Sequence, residues 1–289
     1  MSASSSDLPV SHERFVSADW LASHLNDSSI TLIDARMLPP GNSTRDIHAE
    51  YRAGHLPGAV FFDIETLSDH STDLPHMMPT REDFARAMGE LGIDSQQHLV
   101  IYDEGNLFSA PRAWWMLHTF GATSLSILSG GLAGWTAQNL PLEQGDVTPK
   151  PTTFHATLDE NAIRSRDEVL SISRDKSEQI VDARPAPRFN AEVDEPRPGL
   201  HRGRIPGSLN VPWTDLVSNG ALKPNAELAT ILHKHGVDFT RPIVASCGSG
   251  VTASVVVLAL TQLNVPNVTL YDGSWSDWGS RDDVPIERD

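Results

Sequence analysis

The stretch Ala245-Ser246-Cys247-Gly248-Ser249-Gly250-Val251-Thr252-Ala253 carries the single cysteine of a 289-residue chain. An apolar, β-branched run ending at Ala245 precedes it, and Ser254 to Leu260 continues apolar behind it. This pattern predicts a buried strand, a glycine-containing loop and a helix. In such a turn the loop N–H groups converge in front of a helix N-terminus, so sulfur at position 247 is favoured as a thiolate. A lone cysteine is more commonly a small buried hydrophobe. Gly248 and Gly250 argue for more, because a backbone that wraps its amides around an anion needs residues without a Cβ.

Composition narrows the alternatives. One cysteine excludes an internal disulfide, a Cys-x-x-Cys redox pair and a thiolate-rich zinc site. His233-x-His235 lacks further ligands at metal spacing and is expected to be exposed. The 38 acidic against 22 basic residues give a net charge of −16, spread along the chain. That excess argues against nucleic-acid binding and against docking on anionic membranes. No apolar run approaches the ~20 residues of a membrane span. Residues 1–13 are Ser-rich and polar, without an apolar core or an early basic cluster. They read as disordered and as neither a secretory signal nor a transit peptide, which makes a reducing cytoplasm the expected location.

The elements that must hold the cysteine loop recur along the chain. Apolar strands are expected at 30–36, 98–103, 125–128 and 179–184, and helices from Ser17 as N-cap, over 81–91 and over 111–120. Residues 68–80, rich in Asp, His, Pro and Ser, read as an excursion over the surface. Asp34-Ala-Arg36 returns as Asp182-Ala-Arg184 after 148 residues, and Gly54-His-Leu-Pro-Gly58 as Gly203-Arg-Ile-Pro-Gly207 after 149. Trp135 returns as Trp278 after 143 residues. Three landmarks in the same order imply a tandem duplication of one α/β unit. Strands apolar throughout and alternating with helices predict, in each unit, a parallel sheet flanked by helices on both faces. The units are expected at 14–140 and 154–289. The stretch 141–153, with Pro141, Gly145, Pro149 and Pro151, is the expected linker. At the 143-residue interval Cys247 falls on Glu104, so the first unit is expected to lack a nucleophile and to support the second.

The duplicated Asp-Ala-Arg and Gly-x-Ile/Leu-Pro-Gly elements, with one cysteine loop in the second copy, resemble the two-domain rhodanese sulfurtransferases. The resemblance runs from about Phe15 to Trp278, and Cys247-Gly-Ser-Gly-Val-Thr-Ala253 is similar to the active loop of the 3-mercaptopyruvate branch. The resemblance implies two tandem rhodanese-like domains and a Cys247 persulfide as intermediate, with no metal and no organic cofactor. The sulfur would come from 3-mercaptopyruvate, with release of pyruvate, and pass to a thiol such as thioredoxin or to cyanide. Gly248, Gly250, Val251 and Thr252 would line the substrate with their amides. Thiosulfate-using relatives carry Arg and Lys directly after the cysteine, where this chain has neutral Gly248 and Ser249. Related phosphatases need an Arg at the position of Ala253. A donor with its charge on a carboxylate instead requires an arginine fork, and Arg188 and Arg197 match the family's two. Ser249, His76 and Asp63 match a triad-like relay that would hand a proton to the leaving enolate, with Asp63 orienting the ring of His76. A thiosulfate sulfurtransferase and a non-catalytic rhodanese-type binding module stand as the alternatives.

Overall fold

A computed structural model describes residues 14–41 and 44–288. The expected disorder of residues 1–13 lies outside the described residues. In the first half, strands β1 (Phe15–Val16), β2 (Ile30–Asp34), β3 (Val60–Phe61), β4 (His98–Tyr102) and β5 (Leu125–Leu128) form a sheet in the order β1-β5-β4-β2-β3. In the second half, β6 (Ile163–Arg164), β7 (Gln179–Asp182), β8 (Leu209–Asn210), β11 (Ile243–Ser246) and β12 (Val268–Tyr271) follow the order β6-β12-β11-β7-β8. Every pair in both sheets is parallel. A short antiparallel hairpin, β9 (Val217–Ser218) and β10 (Ala221–Leu222), stands apart from them.

Strand alternation explains why helices cover both faces. Ile33, Leu99 and Ile101 point to one side of the first sheet, toward α4 (Arg81–Glu90) and α5 (Ala110–Thr119). Leu32, Val100 and Tyr102 point to the other, toward α1 (Ala18–His24) and Trp135 of α6 (Gly131–Ala137). In the second sheet Val181, Ile243 and Ala245 face α9 (Asn225–Lys234) and α10 (Ala253–Gln262). Ile180 and Val244 face α7 (Arg166–Asp175) and α11 (Ser274–Trp278). The inner faces share one continuous apolar core, in which α5 packs against α10. Residues apolar on both sides of a strand therefore mark burial between layers.

The duplicated Asp-Ala-Arg is a clamp. Arg36 forks onto Asp34 and donates to the Gly54 carbonyl at 3.0 Å, and Arg184 does the same with Asp182 and the Gly203 carbonyl at 2.9 Å. Each guanidinium thus ties a strand end to the neighbouring Pro-Gly turn. Residues 141–153 lie along the first domain, with His55 and Glu143 in a β-bridge and Thr152 donating to the Gly89 carbonyl at 2.9 Å. Phe154, placed by the sequence at the start of the second unit, packs edge-on against Phe84 at 5.5 Å. The chain leaves the first domain only after Asp159, whose N–H reaches the Thr119 carbonyl at 2.9 Å.

The hairpin fixes the two domains together. Its turn residues Asn219 and Gly220 have φ of 51° and 69°, the left-handed region such turns demand. Gly130 donates to the Gly220 carbonyl at 3.1 Å, and a Cβ on Gly220 would sit 2.4 Å from the Gly105 carbonyl oxygen. The second domain thus seats backbone directly on backbone of the first.

Candidate active site

Cys247 follows β11, at the carboxyl end of the strand beside which the connection order reverses, where open parallel sheets hold their ligands. Its side chain is buried. The loop runs from Cys247 to Thr252 before α10 begins. Ser274, with φ of 48°, holds the loop from behind: its Oγ accepts from the N–H groups of Cys247 at 3.1 Å and Gly250 at 3.2 Å. Ser276 donates to the Gly248 carbonyl at 2.7 Å. Among the described residues the N–H groups of Gly248, Ser249, Val251 and Thr252 have no acceptor. Four free amides beside a buried sulfur, ahead of a ten-residue helix, form a cradle for an anion.

The first domain shows what such a cradle holds. The carbonyls of Tyr102 and Ser246 accept from Ala35 and Ala183, each at 2.8 Å, so Tyr102 and Ser246 are equivalent. The next residues are Asp103 and Cys247, whose carbonyls accept from Leu132 and Trp275, each at 2.9 Å. The counterpart of Cys247 is therefore Asp103, not Glu104 as expected from the 143-residue interval. The loop before α5 is seven residues long against six before α10, and that one insertion displaced the alignment. The Asp103 carboxylate accepts from the N–H groups of Gly105, Leu107, Ser109 and Ala110, at 2.9 to 3.3 Å. In the first copy the Asp103 carboxylate fills the cradle; in the second, the side chain of Cys247 stands at that place and the loop N–H groups are left open.

His76 reaches this loop from the first domain. Its Nδ1 lies 2.9 Å from Ser249 Oγ, and its ring is buried. Residues 68–80 therefore do not merely cross the surface: they carry His76 and Pro79 inward. The expected Asp63–His76 contact is not made. Asp63 caps α3 (Ile64–Leu67), accepting from the Glu65 N–H at 3.1 Å and from Thr66 Oγ1 at 2.6 Å. It also pairs with His48 at 3.2 Å. The Asp63 oxygens are taken by the helix cap and by His48, and none of them meets the His76 ring. Glu65, two residues on, takes that position, with Oε1 2.8 Å from His76 Nε2. The hydrogen bond from His76 holds the Glu65 carboxyl below the usual range, and the positive field of Arg197 adds to it.

Arg188 and Arg197 lie on the same side. Glu195, itself buried, bridges Arg184 at 2.8 Å and the Arg188 guanidinium, whose Nε donates to it at 3.0 Å. Arg188 is thus pre-set by a carboxylate rather than free in solvent. Its Nη2 lies 3.1 Å from where a Cβ of Gly248 would be, so glycine there is what lets the guanidinium approach the loop. Arg197 makes no hydrogen bond or ion pair among the described residues. Burial pulls its pKa below the ordinary value, countered by the fields of Glu65 and Cys247. A half-buried cation without a partner is poised for an anionic ligand. Arg204, where a His is more frequent in the family, lies over the Phe189 ring at 5.0 Å and pairs with Glu287, outside this cluster.

The structure thus brings Cys247, Ser249, His76, Arg188, Arg197 and the loop of Gly248, Gly250, Val251 and Thr252 into one region, and leaves Asp63 out. Sequence reasoning missed Glu65, Ser274 and Asp103. Only Glu65 had a signal, its two-residue spacing from Asp63. Among the described residues no group of three His, Cys, Asp or Glu could hold a metal ion, and no helix is long and apolar enough to cross a membrane.

Comparison with known proteins bears on this site. The rhodanese-like domain model matches residues 17–138 and again 165–281. A 3-mercaptopyruvate sulfurtransferase of Escherichia coli strain K12 is 59% identical over 273 residues, spanning 94% of this chain and 97% of the relative. A 3-mercaptopyruvate sulfurtransferase of Rattus norvegicus is 42% identical and spans 92% of each chain. The crystal structure of SseA from Escherichia coli, described with the "Rhodanese" fold and catalytic mechanism of 3-mercaptopyruvate sulfotransferases, superposes with a TM-score of 0.86. It is 57% identical and covers 91% of this chain and 99% of that one.

Proposed function

The chain belongs to the rhodanese-like domain family, and we propose that it is a 3-mercaptopyruvate sulfurtransferase that carries the transferred sulfur as a Cys247 persulfide. The Cys247 thiolate attacks the thiol sulfur of the donor. The S–S bond forms as the donor's C–S bond breaks, and the electron pair moves onto carbon as the enolate of pyruvate. The enolate takes up one proton and the persulfide loses the one brought by the donor thiol, so the half-reaction is proton-neutral. His76, through Ser249 Oγ, passes that proton to the leaving group, with Glu65 setting the ring tautomer. The free amides of Gly248, Ser249, Val251 and Thr252 hold the persulfide anion. Arg197 and Arg188 take the donor's carboxylate and 2-oxo group.

The observation that carries the choice of donor is the packing of Arg188 over Gly248. A cationic side chain after the cysteine, as thiosulfate-using relatives have, would collide with that guanidinium. The positive charge here comes from Arg188 and Arg197, outside the cysteine loop's own sequence and suited to a carboxylate. With no second cysteine, the persulfide must be discharged by an external nucleophile. A small thiol, thioredoxin or cyanide attacks the outer sulfur and Cys247 leaves as thiolate. A single thiol that must stay reduced suits a cytoplasmic setting.

The test is a donor comparison with thioredoxin and with cyanide as acceptors. 3-Mercaptopyruvate should exceed thiosulfate in kcat/KM by at least about 100-fold. A thiosulfate preference would sink the reading of the loop. Incubation with 3-mercaptopyruvate should add about 32 Da, one sulfur atom, to Cys247. Cys247→Ser should take up none and release no pyruvate.

A further inference from the structure

We propose that Ser274, the first residue of α11, is a positioning residue that moulds the cysteine loop, doing there with a hydroxyl what the Asp103 carboxylate does in the first copy. The inference rests on Cys247 being the nucleophile proposed above. Both copies share a backbone mould. The N–H groups of Trp275 and Ser276 reach the carbonyls of Cys247 and Gly248 at 2.9 and 2.8 Å, and those of Leu132 and Ala133 reach Asp103 and Glu104 at 2.9 and 3.1 Å. Ser274 and Ser276 therefore stand where the first copy has Gly131 and Ala133. What the second copy adds to the shared backbone is two hydroxyls, and its loop is the one without a carboxylate to order it.

The Ser274 hydroxyl is retained against the preference of its own backbone. Ser274 has φ of 48°, in the left-handed region that glycine enters freely and a residue with a Cβ does not, and Gly131 has φ of 52° at the same place. Such a conformation persists in a non-glycine residue only where its surroundings over-determine it. The Ser274 side chain is fully buried, and all of its bonding capacity is used. Its one proton goes to the Tyr271 carbonyl at 2.8 Å, so both lone pairs are left to accept, and they take the N–H groups of Cys247 and Gly250. Those two amides are thereby committed, and the amides of Gly248, Ser249, Val251 and Thr252 remain for the sulfur anion. Without Oγ two buried donors lose their acceptor, and the loop must shift to satisfy them.

Because Cys247 is the single cysteine, alkylation by iodoacetamide reads this loop directly and needs no sulfur donor. The rate at pH 7 divided by the rate at about pH 10.5, where thiols are ionised throughout, follows the thiolate fraction and cancels differences in access. Ser274→Gly and Ser274→Ala should each lower that ratio about tenfold, with kcat for 3-mercaptopyruvate falling in parallel. Ser274→Gly should melt above Ser274→Ala, since glycine takes the left-handed backbone without strain. The charged groups around the loop, Arg188, Arg197, Arg112, Asp272, His76 and Glu65, are the same in all three proteins, so the comparison isolates the hydroxyl. A parental ratio in Ser274→Gly, with the loss confined to Ser274→Ala, would assign the effect to backbone strain and overturn the proposal. A lowered Tm with an unchanged ratio in both variants would overturn it too, by making the hydroxyl a matter of stability alone. If Ser274→Ala does not fold, Ser274→Gly carries the test by itself. A lowered ratio in a protein that turns out to prefer thiosulfate would uphold the role of Ser274 and sink only the choice of donor.

Discussion

His76 Nδ1 stands 2.9 Å from Ser249 Oγ, although 173 residues and a domain boundary separate the two. The ring is buried and its other nitrogen is engaged by Glu65, so the imidazole has a fixed orientation toward the serine. A buried polar contact of this kind is maintained for specificity or chemistry, since an apolar pair would pack at lower desolvation cost.

If Ser249 and His76 act as one relay, their removal should be non-additive. Ser249→Ala and His76→Gln are each expected to lower kcat for 3-mercaptopyruvate by about 100-fold, the usual worth of a positioned proton donor. The double variant should be no more than about threefold slower than either single one. Steady-state pyruvate release measures all three, and multiplying losses would mean independent roles.

Glu65, not Asp63, should matter to turnover. Glu65→Gln is expected to reduce kcat about tenfold by releasing the ring tautomer. Asp63→Asn should leave kcat within about twofold and cost less than about 1 kcal/mol, because asparagine caps a helix nearly as well. The Glu65 carboxyl lies below its ordinary value, so its contribution to stability is complete above the unfolded value of about 4.3 and is lost as pH falls through the folded one. Melting of Glu65→Gln should therefore differ from the parent at pH 7 and coincide with it well below pH ~4. The side chain is 62% exposed, which limits the difference to a fraction of about 1 kcal/mol.

Arg197 should govern donor binding. Arg197→Lys is expected to raise KM for 3-mercaptopyruvate at least about tenfold while changing kcat less, since a point charge cannot reproduce a bidentate grip. Arg188→Lys should act similarly and also loosen Glu195, which leaves that buried carboxylate with Arg184 alone. Initial rates across donor concentration, with folding checked by melting, separate the two effects.

Much of this was legible because the sequence repeats itself. The clamps at Asp34-Ala-Arg36 and Asp182-Ala-Arg184 are local, two residues apart, and their strands announce themselves by unbroken apolar runs. Cys247 was legible from its glycines. What escaped depends on contacts that no spacing encodes. Glu65 and Asp63 are both acidic and two residues apart, and helix capping decides which one is free to meet His76. Arg112 meets His76 and Asp272 across 36 and 160 residues and lies in an apolar helix that reads as packing. A one-residue insertion hid the equivalence of Asp103 and Cys247, because interval arithmetic cannot see strand register.

That equivalence gives the last prediction. Asp103 is buried and receives four loop N–H groups, so Asp103→Ala leaves four donors to be satisfied by whatever water can enter. At roughly 1–3 kcal/mol per orphaned group before rehydration, a net loss of about 3 kcal/mol is expected, or a fall in Tm of roughly 5–10 °C. Glu104, half exposed and 3.3 Å from Arg45, should tolerate alanine within about 0.5 kcal/mol. Donor KM is expected to stay unchanged in both, because the N–H groups of the first loop are already taken by Asp103. Thermal melting of the pair decides between the two alignments: equal and small effects would return the cysteine's counterpart to Glu104, whereas a loss confined to Asp103 shows the cradle still needing a negative charge after the nucleophile is gone.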